Sequence, residues 1–216
     1  MERKVTAVKT PRRYDSTRRR EQANQARQSV VEVARRLFLA DGYTRTTVSA
    51  IAEAAGVSVE TVYKAFGGKA GVVRAIWAKS LEGAGQVSAE QRSDEMQAAE
   101  RDPRQVIRNW GRFIVEVAPL AAPILLLTRS AAAGDPQMAK LLAEADEQRL
   151  RRMERNARTL HERGNLRPDM TLDEARDILW IYSSPELFEL LVIRKGWSVE
   201  RFASFVAEQL IATLLP

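Results

Sequence analysis

The segment from Val48 to Gly67 constrains the fold of this chain more than any other, because two short helical patterns lie there on either side of a tight turn. The apolar positions at helical spacing are Val48, Ile51, Ala52 and Ala55 in the first pattern and Val59, Val62 and Phe66 in the second. Gly56 allows the positive φ that the turn requires, and the small side chain of Ala52 lets the two helices cross closely. The segment therefore predicts a helix-turn-helix unit.

The second of these helices leaves polar side chains on its outward face. Those predicted to point away from the core are Glu60, Thr61, Tyr63 and Lys64. Side chains of these types reach base edges and phosphates when the second helix of such a unit enters a DNA major groove. Two other interpretations stay open, since Glu60 also suits the positive end of a helix dipole and Tyr63 could cover the core beside Phe66.

The helix starts around this unit add further candidate DNA contacts. Thr46 and Thr47 precede the first helix, and Ser58 caps the second. Lys69 opens the helix that follows. Free backbone N–H groups at a helix start bind anions, and the ammonium of Lys69 can share a phosphate with them. We therefore predict that these four residues also belong to the DNA-binding surface.

The positive charge of the chain is concentrated near its N-terminus. Residues 1–80 contain 16 Lys and Arg against 7 Asp and Glu, whereas residues 81–216 contain 18 against 21. Such a distribution is typical of a nucleic-acid-binding domain joined to a second domain. We expect residues 1–17 to be a disordered basic arm. Its arginines are either a solvated tail or insert into a neighbouring minor groove.

The rest of the chain is predicted to be helical, because no segment shows the alternation of a strand. Helix-start signals occur at Asp102-Pro103, Asp135-Pro136, Thr171 with Glu174, Ser184-Pro185 and Ser198. The nearly all-apolar segment Pro119–Ala133 predicts a separate buried helix. We expect an all-α protein with a helix-turn-helix domain at 18–68 and a helical domain at 69–216. A helix from 69 to about 83 connects the two, and a loosened connector extends from Gly83 to Asp102.

The composition argues against catalysis and against a membrane location. Cysteine is absent and His161 is the single histidine, so we expect no metal site, no cofactor and no enzymatic activity. The longest run without a charged residue, Val117–Thr128, contains two prolines and is shorter than the roughly 20 apolar residues of a membrane span. The N-terminus lacks the apolar core of a secretion signal. We therefore expect a cytoplasmic protein.

The helix-turn-helix and its flanks, from Gly42 to Lys69, resemble the tetracycline-repressor (TetR) family of bacterial regulators. The resemblance rests on the order and spacing of Gly56, Val57, Ser58, Tyr63, Phe66 and Lys69. It implies an all-α, Ω-shaped homodimer with two recognition helices in successive major grooves and a small-molecule pocket in each C-terminal domain. It also implies that Tyr63 and Lys69 contact phosphate. Gly67-Gly68 departs from the bulkier or proline-containing turn that is usual before the lysine.

The C-terminal domain has two features that favour a ligand pocket. Aromatic residues recur on helices that are expected to face each other, and Arg129 lies in an otherwise apolar segment. A buried arginine needs an anionic partner, which Glu116, Glu144 or an acidic ligand would provide. The alternative is plain core packing. The candidate pocket residues are Trp110, Phe113, Ile114, Val117, Leu126, Arg129, Met138, Leu142, Leu179 and Trp180.

The last two helical segments have apolar faces broader than one side of a small core needs. The residues concerned are Leu187, Leu190, Leu191, Phe202, Phe205, Val206 and Leu210. A four-helix arrangement with a second copy of the chain would bury them. We therefore expect a homodimer, whose paired recognition helices, about 34–36 Å apart, would read a palindrome.

Together these features predict a sequence-specific, DNA-binding transcriptional regulator. The preferred form is a repressor that a small apolar or amphipathic molecule releases from a palindromic operator. Two alternatives remain: an architectural protein that binds DNA without sequence preference, and an enzyme with a DNA-binding appendage. A preferred palindrome would exclude the first of these, because an architectural protein shows salt dependence without a specificity ratio.

Overall fold

The computed structural model describes residues 16–83 and 87–216, apart from the side chains of Ser16 and Thr17. Over these residues the chain is helical without a strand, which confirms the all-α prediction. The helices are α1 (Ser16–Arg45), α2 (Val48–Ala54), α3 (Val59–Phe66), α4 (Lys69–Glu82), α5 (Ala89–Ala99), α6 (Pro103–Ala132), α7 (Pro136–Glu162), α8 (Leu172–Tyr182), α9 (Pro185–Phe188) and α10 (Val199–Leu214). The arm predicted for residues 1–17 lies outside the described residues, apart from its last two, at which α1 begins.

Helices α1 to α4 pack around an apolar centre at the N-terminal end of the chain. Phe38 of α1, Ile51 of α2 and Val62 of α3 are all fully buried there. Gly42, with φ of 80° and ψ of 168°, breaks the helical geometry of α1 where the sequence predicts its end. This backbone conformation is open to glycine and strained for other residues. The break turns the chain back so that α2 crosses α1.

The remaining helices pack around α6, which is central to the C-terminal half. Helices α7 and α10 make its most extensive contacts, and α1, α4, α5 and α9 also touch it. The apolar centre of this half includes Ile107 of α6, Leu160 of α7 and Leu214 of α10, all buried. Because α1 and α4 pack on the same helix, α6 joins the two halves of the chain.

The prediction that a separate helix begins at Pro119 is wrong, because α6 runs unbroken through Pro119 and Pro123. Proline has no N–H, so the carbonyl four residues before it loses its helical partner. The carbonyl of Pro119 is left free in this way by Pro123, and Nη2 of Arg35 donates to it at 3.2 Å. The same nitrogen donates to Leu120 at 3.3 Å. A hydrogen bond from α1 thus replaces the missing one inside α6.

Within the described residues, α6 is also the one helix long and apolar enough to cross a membrane by length and composition. Its buried positions, however, pack against other helices of the same chain. A core helix of a water-soluble fold passes the same test of composition. Helix α6 therefore gives only weak evidence for a membrane span.

The loosened connector predicted between Gly83 and Asp102 contains a helix, α5, capped by Ser88. The sequence shows no apolar stripe there because α5 buries polar side chains. Ser93 and Gln97 are both buried. Ser93 accepts from Nη2 of Arg152 at 2.8 Å, and Nε2 of Gln97 lies 3.4 Å from Oδ1 of Asn156. A helix held by polar contacts to α7 has no hydrophobic period to detect.

The last helices begin where the capping signals of the sequence predict. Thr171 and Glu174 form the expected capping box of α8, and Ser198 caps α10 by accepting from the N–H of Arg201 at 3.1 Å. Helix α9 starts at Pro185 and continues as a π-helical turn, Glu189–Arg194. This turn leads into the bend before α10.

Candidate nucleic-acid interface and regulatory cavity

Helices α2 and α3 form the helix-turn-helix that the sequence predicts. Thr47 Oγ1 accepts from the N–H of Ala50 at 3.1 Å, and Ser58 Oγ accepts from the N–H of Thr61 at 3.1 Å, so each helix has a side-chain cap. Gly56 takes the positive φ of 68° that the turn needs. The N–H of Val57 donates to the carbonyl of Ala52 at 3.0 Å and closes the turn. Short-range signals are therefore sufficient to fix the angle between the helices.

The outer face of α3 is free for a ligand. The predicted contact residues Glu60, Thr61, Tyr63 and Lys64 are exposed there, as are the helix-start residues Thr47 and Ser58. Tyr63 is 54% exposed, so it does not serve the core. Val59, predicted to be an inner residue, is instead 39% exposed in the first turn of α3. An apolar side chain on this face suits contact with a thymine methyl group.

The structure contradicts one helix-start prediction and shows an internal contact for another. Thr46 is only 3% exposed and its hydroxyl donates to the carbonyl of Gly42 at 2.9 Å, so its assignment to the DNA-binding surface is wrong. Lys69 is half-buried, and its Nζ donates to the carbonyl of Tyr43 at 2.8 Å while lying 4.1 Å from the ring centre of the same residue. One of its three donors is therefore used inside the chain.

Sequence reasoning missed a cation at the far end of the recognition helix. Arg27 of α1 donates from Nη1 to the carbonyl of Ala65 at 2.8 Å, and its guanidinium lies 4.5 Å from the ring centre of Phe66. A cation is favourable at the carbonyl end of a helix. Arg27 therefore anchors α3 to α1. No local signal marks this residue, because its partners lie 38 positions away.

A cavity of about 260 Å³ lies in the C-terminal half, enclosed by residues of α4 to α10. Five of the predicted pocket residues line it: Trp110, Phe113, Ile114, Val117 and Leu179. All but Leu179 stand on α6, at positions where that helix faces α7, α8 and α10. The size and the largely apolar wall are those of a site for a small organic molecule.

The other predicted pocket residues do not line this cavity. They are Leu126, Arg129, Met138, Leu142 and Trp180. Met138 is fully buried in the core shared with α1 to α4. Arg129 is not buried in α6 as predicted, since its side chain is 39% exposed and pairs with Glu186 and, at 3.5 Å, with Asp146. The partners suggested for it pair elsewhere: Glu116 with Arg92 and Glu144 with Arg74.

Part of the predicted dimer surface lines the cavity instead. Phe202, Val206 and Leu210 of α10 are buried within their own chain and face this space. Their assignment to a dimer interface is therefore wrong. The broad apolar face of α10 is explained by packing against α6 and the cavity, which periodicity alone does not distinguish from packing against a second chain.

Polar groups that the sequence did not single out also reach the cavity. Arg149 of α7 has a side chain only 9% exposed. Its Nη1 donates to the carbonyl of Trp180 at 2.6 Å and to Ser183 Oγ at 3.1 Å, and its guanidinium lies 4.5 Å from the ring centre of Trp180. Burial lowers the pKa of Arg149, and the nearby carboxylate of Asp146 partly offsets this. The cavity therefore contains a strongly desolvated cation.

Acidic side chains near the cavity pair with arginines rather than gathering into a cluster. Asp146 lies between Arg129 and Arg149, and Glu90 pairs with Arg152 and Arg155. Within 16–83 and 87–216, no group of three or more His, Asp or Glu is placed to hold a metal ion.

Comparison with known families bears directly on the helix-turn-helix. Residues 30–76, which span the second half of α1, all of α2 and α3 and the first half of α4, match the family described as bacterial regulatory proteins, tetR family. Residues 30–76 therefore form a DNA-binding domain of the TetR-family type. The chain is a DNA-binding transcriptional regulator. No curated protein sequence matches this chain.

Solved structures share the fold of this regulator. SmeT in complex with triclosan has a TM-score of 0.69 at 20% identity, covering 88% of this chain and 92% of its own. NalD, the secondary repressor of the MexAB-OprM multidrug efflux pump in Pseudomonas aeruginosa, has a TM-score of 0.68 at 19% identity, covering 89% and 98%. A putative transcriptional regulator from Saccharomonospora viridis in complex with choline has a TM-score of 0.64 at 17% identity, covering 89% of this chain and 99% of its own. At such identities the likeness establishes the fold.

A hydrogen bond joins the DNA-binding end of the regulator to its C-terminal half. The hydroxyl of Tyr43 donates to Oδ2 of Asp135 at 2.7 Å. Asp135 also caps α7, accepting from the N–H groups of Gln137 and Met138 at 2.8 and 3.2 Å. Burial, followed by the contact with Asp135, raises the pKa of Tyr43, and the hydrogen bond from Tyr43 is the main cause that lowers the pKa of Asp135.

The regulator also has exposed apolar residues in its C-terminal helices. Leu190, predicted for the dimer interface, is exposed, while Leu187, Leu191 and Phe205 are half-buried. Ile181 of α8 and Ile193 of the π-helical turn, which no sequence pattern singled out, are also exposed. These residues remain available to a second copy of the chain.

Proposed function

We propose that this regulator is a homodimeric repressor, released from a palindromic operator by a small molecule that binds in the C-terminal cavity. The observation that carries the proposal is that an exposed recognition helix, α3, is linked to an apolar cavity through α4 and α6. Helix α3 packs on α4, α4 packs on α6, and α6 lines the cavity. We retain the division into a DNA-binding domain at 18–68 and a ligand-binding and dimerisation domain at 69–216.

The DNA contacts are proposed for the exposed face of α3 and the two helix starts beside it. The residues are Thr47, Ser58, Glu60, Thr61, Tyr63, Lys64 and Lys69, joined by Val59. Helix α3 lies in the major groove in this arrangement, with its first turn towards the base edges. Tyr63 and Lys69 bind phosphate, and Lys69 keeps two donors for this purpose after its bond to Tyr43.

The dimer is proposed to form through the exposed apolar residues at the C-terminal end. Ile181, Leu190 and Ile193, with the half-buried Phe205, would be covered by the same residues of a second chain, as a two-fold interface requires. The dimer is Ω-shaped, with its recognition helices about 34–36 Å apart, the repeat of B-DNA. One short helix reads few bases, so this spacing is what makes recognition specific.

The effector is proposed to act by shifting the arrangement of the two domains. It binds among α6, α7 and α10, and α6 and α7 also carry the acceptors for Arg35 and Tyr43 at the domain junction. A ligand that prefers one arrangement shifts the population by its difference in affinity for the two states. That NalD is named a repressor and that SmeT holds triclosan supports this reading. We propose a cytoplasmic location, because a regulator of this kind acts on chromosomal DNA.

The decisive experiment is selection of binding sites from a random double-stranded DNA pool by the full-length protein at near-physiological salt. We expect a palindrome whose half-sites are about 10 base pairs, or a multiple of that spacing, apart. A Lys64→Ala variant serves as the matched control and should recover a weaker or less specific site. Binding without any preferred sequence would support the architectural alternative. Absence of binding would refute the proposed function.

A further inference from the structure

The cavity wall contains buried hydrogen-bond donors that lack an acceptor. Among the described residues that line it, the buried side-chain atoms without a partner are Nε1 of Trp110 and Nε of Arg149. Trp110 is 7% exposed and the Arg149 side chain 9%. Both atoms carry hydrogen, and a buried N–H without an acceptor is unfavourable. The cavity is therefore short of acceptors, not of donors.

Arg149 has a single carboxylate partner, which it shares with another arginine. Its nearest carboxylate is Asp146, at 3.4 Å from Nη2, and Asp146 is shared with Arg129 at 3.5 Å. The two acceptors of Nη1, in Trp180 and Ser183, are uncharged. A buried cation is costly unless an anion with good geometry accompanies it. Arg149 is held by two neutral acceptors and one long, shared ion pair, so its charge is only partly matched.

The second arginine of the cavity provides a contrast. Arg152 donates from Nη1 to Oδ1 of Asp94 at 2.6 Å and from Nη2 to Ser93 Oγ at 2.8 Å. Its charge and its donors are therefore satisfied inside the chain. Glu90 is the one acidic residue among those that line the cavity, and it is taken by Arg155 and Arg152. No acidic side chain in the described lining is left to neutralise Arg149.

We infer that the effector is an amphipathic carboxylate with a body of about ten carbon atoms, whose head accepts from Nε of Arg149. The size follows from the cavity volume of about 260 Å³, since a cavity of roughly 150 Å³ holds the six carbons of benzene. The head group follows from the buried cation, and the apolar body follows from the wall of α6 and α10. This inference rests on the proposed function, in which the cavity is the effector site.

The test compares three probes that share a ten-carbon tail: decanoate, decan-1-ol and decyltrimethylammonium. Each is titrated calorimetrically into the full-length protein. We expect decanoate to bind at least about tenfold more tightly than decan-1-ol, because hydrogen bonds to charged groups are the stronger ones. The cation should bind most weakly. Equal binding of decanoate and decan-1-ol, or no binding of any of the three, overturns the inference.

Two variants with the same change of charge locate the head group. Arg149→Gln should weaken the binding of decanoate about tenfold or more and change that of decan-1-ol by less than about threefold. Arg152→Gln should change the binding of decanoate by less than about threefold, because the donors of Arg152 are already paired. Equal effects of the two substitutions overturn the inference. If Arg149→Gln fails to fold in a thermal scan, Arg149→Lys, which keeps the charge, should still bind decanoate more tightly than decan-1-ol.

Release of the selected operator distinguishes a failure of this inference from a failure of the proposed function. We expect decanoate to release the DNA and the cationic probe to leave it bound. Release by decan-1-ol or by the cation but not by decanoate would overturn the inference and leave the proposed function standing. A protein without a preferred DNA sequence would refute the proposed function, whichever probe it binds.

Discussion

Tyr43→Phe removes a single hydrogen bond between the two halves of the molecule. The ring remains stacked on Phe38, with centroids 5.9 Å apart, and remains under the ammonium of Lys69. Asp135 keeps its two backbone donors in α7, so it is not left unsatisfied. The loss is therefore the net value of one partly exposed hydrogen bond, about 1 kcal/mol, rather than the larger penalty of a stranded buried group.

The consequence is measurable as a fall in thermal stability. For a chain of this size about 1 kcal/mol corresponds to a decrease in Tm of roughly 2–4 °C. The assay is thermal unfolding followed by circular dichroism at pH 7, on both proteins at equal concentration. Asp135→Asn is the control, because asparagine also caps a helix well. Asp135→Asn should lower the free energy of unfolding of the wild type by a similar amount. It should lower that of Tyr43→Phe by little more, since the two residues form one interaction.

The difference in stability between the wild type and Tyr43→Phe should also depend on pH. The pKa of Asp135 is lowered in the folded state, so its contribution is present above its ordinary pKa of 3.8 and is lost as pH falls through the lowered value. The pKa of Tyr43 is raised, so its contribution is present below its ordinary pKa of 10.0 and is lost at higher pH. Equal Tm values at pH 7 would refute the reasoning.

Three further predictions concern the interface, the fold and the dimer. Tyr63→Ala should weaken binding to all DNA sequences in a gel-shift titration without loss of helicity, and unchanged affinity would remove this residue from the interface. Gly71→Ala should lower Tm sharply, because a Cβ there would lie 1.7 Å from the carbonyl oxygen of Phe66; Gly134→Ala, with nothing within 4 Å, is the neutral control. Leu190→Asp should give monomers by sedimentation with little loss of Tm, and a persistent dimer would contradict the proposed interface.

The helix-turn-helix could be predicted from sequence because its determinants are local. Thr47 and Ser58 cap the helices they precede, and Gly56 supplies the turn, each within a few residues of the group it satisfies. Thr46 was misplaced because the same residue types suit both a helix start and a bond to a preceding carbonyl. Its burial depends on how α1 ends at Gly42, a feature of tertiary structure.

The cavity was only half predictable, because it depends on which helices face each other. The apolar positions of α6 were identified from periodicity, but the opposite wall was not. Phe202 and Val206 of α10 form the same pattern whether they meet a second chain or α6, and nothing near them in the sequence distinguishes the two. Arg149 and Arg152 belong to a run of charges that suits an exposed helix face. Their side chains are largely covered, because α8 packs over Arg149 and α5 over Arg152.

Pro123 has a consequence beyond the geometry of its own helix. Replacing it with alanine would remove the most unfavourable kind of residue from a helix interior, worth up to about 3 kcal/mol by propensity, and would restore the N–H that the carbonyl of Pro119 lacks. Arg35, 84 positions away, would then compete for an acceptor that is already occupied. Under the proposed function, a more regular α6 would make the protein more stable while weakening the contact by which α1 follows α6, so stability and effector response would favour different residues at this position.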